Sequence, residues 1–166
     1  MPLHGSHWKL LRGKVRSFWR LSRYEQVWFI PVWCLLGVSK ALIFSVSFKR
    51  LAPLLGRNSG PHPWIPLLTP EAELRAHRIG RLIRLAARYT PWDSNCFPQA
   101  IVARMLLGAQ GIAYALYFGL ARDSEKGGQM TAHAWIAAGR VCVVGGACFQ
   151  QFVVVECFVG TSLVIL

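Results

Sequence analysis

The chain changes its hydrophobic pattern near Gly111, and this change limits the folds that it can adopt. Before that residue, apolar side chains recur at helical spacing, apart from one Pro-rich stretch. After it come four short runs rich in β-branched and aromatic residues, with glycine-containing turns between them: 112–120, 131–138, 140–146 and 151–158. Short connections favour antiparallel pairing, so the sequence predicts an α+β fold with the helices first and a small antiparallel sheet last.

An amphipathic helix is predicted over residues 71–90, ahead of the sheet. Glu71 and Glu73 fall in its first turn, where the helix dipole favours negative charge. Its polar face carries arginines every three or four residues, and this stripe is either a solvated face or a dock for an acidic peptide or partner. The arginines are Arg75, Arg78, Arg81, Arg84 and Arg88.

The run Gln26–Phe48 is almost long and apolar enough to span a membrane, since a span needs about 20 apolar residues. Lys40 is its single charge and divides it into two parts, which suits two packed or interfacial helical pieces better than a span. Both interpretations stay open, and so does peripheral contact with a membrane. The N-terminus lacks the pattern of a secretory signal, so we expect a cytoplasmic protein, with membrane association as an alternative.

We expect the chain to divide into two parts. Residues 1–68 comprise a basic and apolar helical N-terminal segment and a Pro-rich linker, and the Pro-rich stretch itself runs from residue 56 to residue 70 across this boundary. Residues 69–166 form the catalytic core.

The composition restricts the partners and the redox state. The net charge of +12 attracts acidic peptides, anionic lipid or nucleic acid, but no nucleic-acid motif accompanies it, so we expect no nucleic-acid partner. Five cysteines without CxxC spacing fit reduced thiols better than a disulfide framework. We expect four of them to be structural: Cys34, Cys142, Cys148 and Cys157.

Cys96 differs from the other cysteines because it lies at the predicted start of a helix. Pro91 ends the preceding helix, Asn95 offers an N-cap and Pro98 suits a first turn, so the next helix begins at or beside Cys96. Unpaired N–H groups at a helix N-terminus stabilise a thiolate and can receive an oxyanion. His133 is the one histidine inside a predicted strand of the core, which makes it the candidate base.

The segments PWDSNCFPQAIVARMLLGAQGI and TAHAWIAAGRVCVVGG resemble the leader peptidases of lasso-peptide biosynthesis, which are transglutaminase-like proteins. The most specific shared pieces are PW-x-SNC, the helix ending in LL-x-x-x-GI, and AHAW. The resemblance implies a transglutaminase-like, papain-like core in which the nucleophile helix packs on a small antiparallel sheet. It also implies that Cys96 is the nucleophile and that His133 is the general base and acid.

The third catalytic group is where the chain departs from these relatives. Many of them place an aspartate about 12 residues after the histidine, and that position here is Gly145. Three alternatives stay open: Glu156 orients the imidazole, a backbone carbonyl or side-chain amide does so, or the enzyme works as a dyad. Further candidates for the oxyanion or substrate site are Asn95, Gln99, Trp92 and Trp135.

The resemblance implies a cysteine peptidase that removes the leader from a ribosomally made lasso precursor. Its expected partners are that precursor, a separate leader-recognition protein and an ATP-using macrolactam synthetase. No cofactor motif is found, and ATP dependence would enter through this maturation complex. The alternatives are a transglutaminase-like acyltransferase on the same core and a non-enzymatic, membrane-associated adaptor.

Overall fold

The fold consists of four helices and a five-stranded sheet, described by a computed structural model for residues 21–123, 128–146 and 149–160. The helices are α1 (Arg23–Ser45), α2 (Phe48–Leu55), α3 (Pro70–Ala87) and α4 (Cys96–Ala109). The strands are β1 (Arg57–Gly60), β2 (Tyr114–Asp123), β3 (Gln129–Ala138), β4 (Val141–Val144) and β5 (Val153–Gly160). This confirms the predicted α+β class. Residues 1–20 of the predicted N-terminal segment, and Cys148, lie outside the described residues.

The sheet is antiparallel throughout, with the strand order β1-β5-β2-β3-β4. Its longest pairing joins β2 to β3 from Ala115↔Ala137 to Asp123↔Gln129. The edge strand β1 belongs to the Pro-rich stretch that we expected to be only a linker, and it pairs with β5. That part of the linker assignment is wrong, whereas the division of the chain at residue 68 stays a prediction.

The core lies between one face of this sheet and the helices α3 and α4. Close approach of α3 to β4 depends on Gly80, where a Cβ would lie 2.2 Å from the carbonyl oxygen of Val143. Arg84 donates from Nη1 to the same oxygen at 2.5 Å. This arginine of the predicted stripe therefore fixes a helix to the sheet edge.

The apolar N-terminal run forms one continuous helix, so the expectation of two helical pieces is wrong. A capping box starts α1: Ser22 accepts from the Glu25 backbone, and the Glu25 carboxylate accepts from the Ser22 backbone. Pro31 lies inside the helix without ending it. By length and composition α1 is long and apolar enough to cross a membrane, and it is the one such helix among the described residues.

One side of α1 is attached to the helices of the core. Buried Glu25 forms an ion pair with Arg81 of α3 at 2.6 Å. The indole N–H of Trp33 donates to the carbonyl of Tyr89 at 3.0 Å, and its ring lies 4.8 Å from that of Trp92. These contacts hold α1 along the surface of the domain.

Candidate active site

Cys96 is the first residue of α4, as the sequence predicts. Asn95 is the N-cap in extended conformation, and its carbonyl accepts from the backbone N–H of Gln99 at 3.4 Å. Pro98 has no N–H, so the first turn presents the backbone donors of Cys96 and Phe97, which by helix geometry lack a partner within α4. The half-buried thiol thus lies at the positive end of a helix, where a thiolate and an oxyanion are both stabilised.

A cleft of about 340 Å³ opens beside this thiol, and Cys96, His133 and Glu156 all line it. Its apolar wall consists of Phe48, Phe97 and Phe118, whose ring centroids lie 5.2 to 6.2 Å apart. The three rings come from α2, α4 and β2, so the wall joins segments that are distant in sequence. Phe48 was not anticipated from the sequence, because nothing in its local pattern indicates a contact with residues 97 and 118.

The imidazole of His133 is held by a backbone oxygen and by aromatic rings. Its Nε2 lies 2.8 Å from the carbonyl oxygen of Gly145. Because a carbonyl can only accept, Nε2 carries the hydrogen, and in the neutral ring Nδ1 keeps a lone pair that can take a proton. The ring stacks on Trp135 at 5.9 Å and lies 4.9 Å from Phe152. This tautomer is the one that a general base acting through Nδ1 requires.

Strand register shows which face of the sheet carries each group. Ala134 pairs with Phe118 on the face that packs under the helices, whereas His133 pairs with Gly119 and leaves β3 from the other face. A Cβ at Gly119 would lie 2.8 Å from both Trp135 and Phe152, so glycine makes room for the rings around the imidazole. Cys96 and His133 both line the cleft, but Cys96 belongs to the helix side of the sheet and the His133 side chain leaves from the opposite face. No hydrogen bond joins the two among the contacts of the described residues.

Many of the leader peptidases that the sequence resembles have an aspartate at the position of Gly145. Its φ is +77°, and a Cβ there would lie 2.5 Å from the carbonyl oxygen of Ala134. A side chain does not fit this backbone, and the carbonyl of the same residue contacts the imidazole instead. The sequence left open that a backbone carbonyl orients the imidazole, and the geometry of Gly145 matches that alternative.

Glu156 lies elsewhere in the cleft. Its carboxylate accepts from Nδ2 of Asn58 at 2.7 Å, which links β5 to β1. It pairs with Phe118, so its side chain starts from the face opposite that of His133. No contact between Glu156 and the imidazole occurs in the described part of the chain, and a catalytic role for Glu156 stays a prediction.

The remaining site candidates do not line this cleft. Gln99 donates its side-chain amide to the carbonyl of Ser94 at 2.7 Å, and Asn95 makes no side-chain capping bond. Trp92 packs against α1, where a Cβ at Gly37 would lie 2.8 Å from its ring. Trp135 is buried between Tyr117 and His133. Oxyanion or substrate roles for these four residues stay predictions.

The other described cysteines are free thiols in different surroundings. Burial raises the pKa of the Cys142 thiol and also that of the Cys157 thiol. Cys34 is exposed on α1. Within residues 21–123, 128–146 and 149–160, no three His, Cys, Asp or Glu side chains are grouped to hold a metal ion.

Comparison with known families identifies the superfamily of the chain. A family model described as the transglutaminase-like superfamily matches residues 39–157, which is more than half of the chain. The chain belongs to the transglutaminase-like superfamily. This confirms the predicted fold class and supports a cysteine protease or acyltransferase core of the kind that this generally enzymatic superfamily contains. No curated protein and no solved structure matches the chain.

Proposed function

We propose that this transglutaminase-like protein is a cysteine peptidase that removes the leader from a ribosomally made lasso-peptide precursor. The observation that supports it most is the shared cleft. There a thiol at a helix N-terminus, Cys96, accompanies His133, whose Nε2 is occupied by a backbone carbonyl. Family membership supports acyl-transfer chemistry, and the resemblance of PW-x-SNC and AHAW to lasso leader peptidases supports the substrate class.

The proposed reaction follows from the groups in the cleft. Nδ1 of His133 takes the proton of the Cys96 thiol, and the thiolate attacks the carbonyl between leader and core peptide. The backbone N–H of Cys96 receives the oxyanion of the tetrahedral intermediate. The imidazolium then protonates the departing amine, which leaves a thioester of the leader on Cys96. Nδ1 then takes a proton from water as the water attacks this thioester, the leader leaves as the free acid, and the imidazolium returns the proton to the Cys96 sulfur.

The approach of Nδ1 to the thiol is the step that substrate binding must complete. Catalytic hydrogen bonds are often long in ligand-free enzymes and shorten only in the complex. β4 pairs with only Ile136, Ala137 and Ala138 of β3, so among the described strands none pairs with β3 beside His133 on that side. Because the imidazole leaves β3 from the face opposite α4, the mechanism requires the His133 side chain to turn around this open edge towards Cys96 when the substrate binds.

The proposed partners are the lasso precursor, a separate leader-recognition protein and a macrolactam synthetase. They rest on the family that the sequence resembles. In this proposal the enzyme acts in the cytoplasm and holds no cofactor of its own, and any ATP dependence belongs to the synthetase.

The second candidate is an acyltransferase that uses the same pair with an amine in place of water. The match to a transglutaminase-like family favours acyl transfer to an amine as much as hydrolysis, because both reactions pass through a thioester intermediate. The two differ only in the second nucleophile.

The test uses the purified full chain with a lasso-peptide precursor and a leader-recognition protein, with and without added methylamine. Mass spectrometry should detect free leader and core peptides. A leader whose new C-terminus is a methylamide in place of a carboxylic acid would instead identify an acyltransferase. Cys96→Ala should abolish both products, and Cys34→Ser, which removes an exposed thiol on α1, is the matched control. Unchanged turnover by Cys96→Ala would refute both candidates.

A further inference from the structure

The outward side of α1 is apolar and exposed along most of its length. Its members are Val27, Ile30, Val38 and Leu42, with exposed fractions of 69%, 59%, 54% and 41%. Successive members are three, eight and four residues apart, which are spacings that return to one side of a helix, so they form one stripe, which we call the outward face of α1. Trp28 and Phe44 add exposed rings near its two ends. Soluble monomers rarely expose a contiguous apolar patch larger than a few hundred Å², and larger patches mark protein or membrane contacts.

The inward side of the same helix is occupied by the domain. Glu25, Val32, Leu36 and Ser39 are buried there, and the Glu25–Arg81 ion pair and the Trp33–Tyr89 hydrogen bond secure them. A helix held in this way would lose all of these contacts if it crossed a bilayer alone. The structure therefore favours a helix that lies on a surface over one that spans a membrane.

The charges around α1 indicate what kind of surface it meets. The first 70 residues contain ten Lys and Arg side chains and one acidic residue, Glu25. That single acid is buried and paired with Arg81, so it does not repel an anionic partner. Exposed Arg23 begins the helix, and exposed Lys49 and Arg50 follow it. Each cation near an anionic membrane surface contributes about 1 kcal/mol to binding, and an apolar helix face adds insertion of its side chains.

We propose that the outward face of α1 rests on an anionic phospholipid bilayer, with the helix axis in the plane of the surface. The apolar side chains enter the boundary between headgroups and acyl chains, and the basic residues at both ends contact the phosphates. A second protein chain is a less suitable partner for the outward face of α1, because it would need an apolar centre surrounded by acidic residues to match so basic a segment.

Vesicle flotation with the full-length protein tests this proposal. Wild type should float with vesicles of about three parts phosphatidylcholine to one part phosphatidylglycerol and bind pure phosphatidylcholine vesicles much more weakly. Added salt should reduce binding to the anionic vesicles. The double variant Ile30→Gln/Val38→Gln, which changes two exposed positions, should lower the partition coefficient by about tenfold or more.

The matched control is Ile65→Gln/Leu67→Gln, which removes two equally apolar side chains, exposed by 67% and 97%. They lie close to Trp64, whose carbonyl accepts from Tyr117 on the sheet face opposite the helices, and this variant should float like wild type. Wild type that stays unbound, binds both vesicle types equally, or floats no better than the α1 variant overturns the proposal. So does a dimer in vesicle-free sedimentation that the α1 variant abolishes, since the outward face would then be a protein interface.

Discussion

Nε2 of His133 and the carbonyl oxygen of Gly145 lie 2.8 Å apart, although twelve positions separate the two residues in the chain. This contact fixes one tautomer of the ring without placing a negative charge beside it. A carboxylate in the same place would also stabilise the imidazolium that forms during catalysis. The carbonyl therefore orients the base but stabilises its charged form less.

The Gly145→Ala substitution should lower both the stability of the fold and the activity that depends on the position of the His133 imidazole. The residue has φ +77°, and the new methyl group would lie 2.5 Å from the carbonyl of Ala134 and 2.7 Å from the Cβ of Trp135. We expect the free energy of unfolding to fall by about 1–3 kcal/mol, measured by urea denaturation. Displacement of the carbonyl should also lower kcat by about tenfold or more under conditions where the variant is fully folded.

Gly108→Ala is the control for the glycine substitution. A Cβ at Gly108, inside α4, meets no atom within 4 Å, and its φ is not positive. This variant should be as stable as wild type or more stable by up to about 1 kcal/mol, with unchanged activity. Equal behaviour of the two alanine variants would show that the Gly145 carbonyl does not position the imidazole.

Cys96 should be the thiol that alkylates fastest with iodoacetamide at mildly acidic pH. Burial raises the pKa of Cys142 and Cys157, so both stay protonated and unreactive there. Tryptic mapping by mass spectrometry assigns each modified site. A Cys34→Ser background removes the exposed thiol of α1, so that its accessibility to the reagent does not affect the comparison.

His133→Ala should slow this alkylation at pH 6 to 7 by about tenfold if the imidazole takes the thiol proton. Alkylation of Cys96 at the same rate in both proteins would leave the helix N-terminus as its sole activator. That result would contradict a nucleophile–base pair.

The local sequence pattern was sufficient to locate Cys96 and the strands. Asn95 and Pro98 are an N-cap and a first-turn residue by ordinary helix rules, and α4 begins between them. The sheet strands were recognisable from their β-branched residues. By contrast, β1 is the polar segment Arg57–Gly60 and becomes a strand only through pairing with β5. Such long-range pairing leaves no periodic signal in a four-residue segment.

The contact to Gly145 was harder to predict for a related reason. The sequence shows the absence of an acid at this position, but not what replaces it. The two consecutive glycines, Gly145 and Gly146, were the available signal, since a left-handed turn can aim a carbonyl where a side chain cannot fit. In α1, tertiary packing against α3 and α4 keeps one helix continuous through Pro31, which local rules would mark as a break.

Glu156→Gln should leave kcat within about threefold of wild type. Glutamine can still accept the hydrogen bond from Asn58, and no described contact joins Glu156 to the imidazole. Removal of an orienting carboxylate in a catalytic triad lowers kcat by about 10⁴-fold. Steady-state kinetics on the precursor distinguish these outcomes, and a loss of that size would restore Glu156 as the third member. Asn58→Ala, which removes the same hydrogen bond from the other side, is the control for effects on the sheet edge.

The buried ion pair between Glu25 and Arg81 should make stability depend on pH. Burial tends to raise the pKa of Glu25, but the hydrogen bonds from Ser22 and Arg81 and the nearby guanidinium outweigh it and lower the pKa. The carboxylate therefore stabilises the fold fully above the unfolded pKa of about 4.3, and this contribution is lost as the pH falls through the lower folded pKa. Glu71 and Glu73, whose pKa values are also lowered, add a similar dependence.

Comparison of wild type with Glu25→Gln isolates the contribution of this pair. At pH 7 the variant should unfold more easily by about 1–3 kcal/mol, because the arginine is more than half exposed and the full penalty of a buried pair does not apply. Urea denaturation at a series of pH values should show the difference between the two proteins shrinking below pH 4, where Glu71 and Glu73 affect both equally. A difference that stays constant with pH would mean that hydrogen-bond geometry, and not the charge of Glu25, attaches α1 to α3.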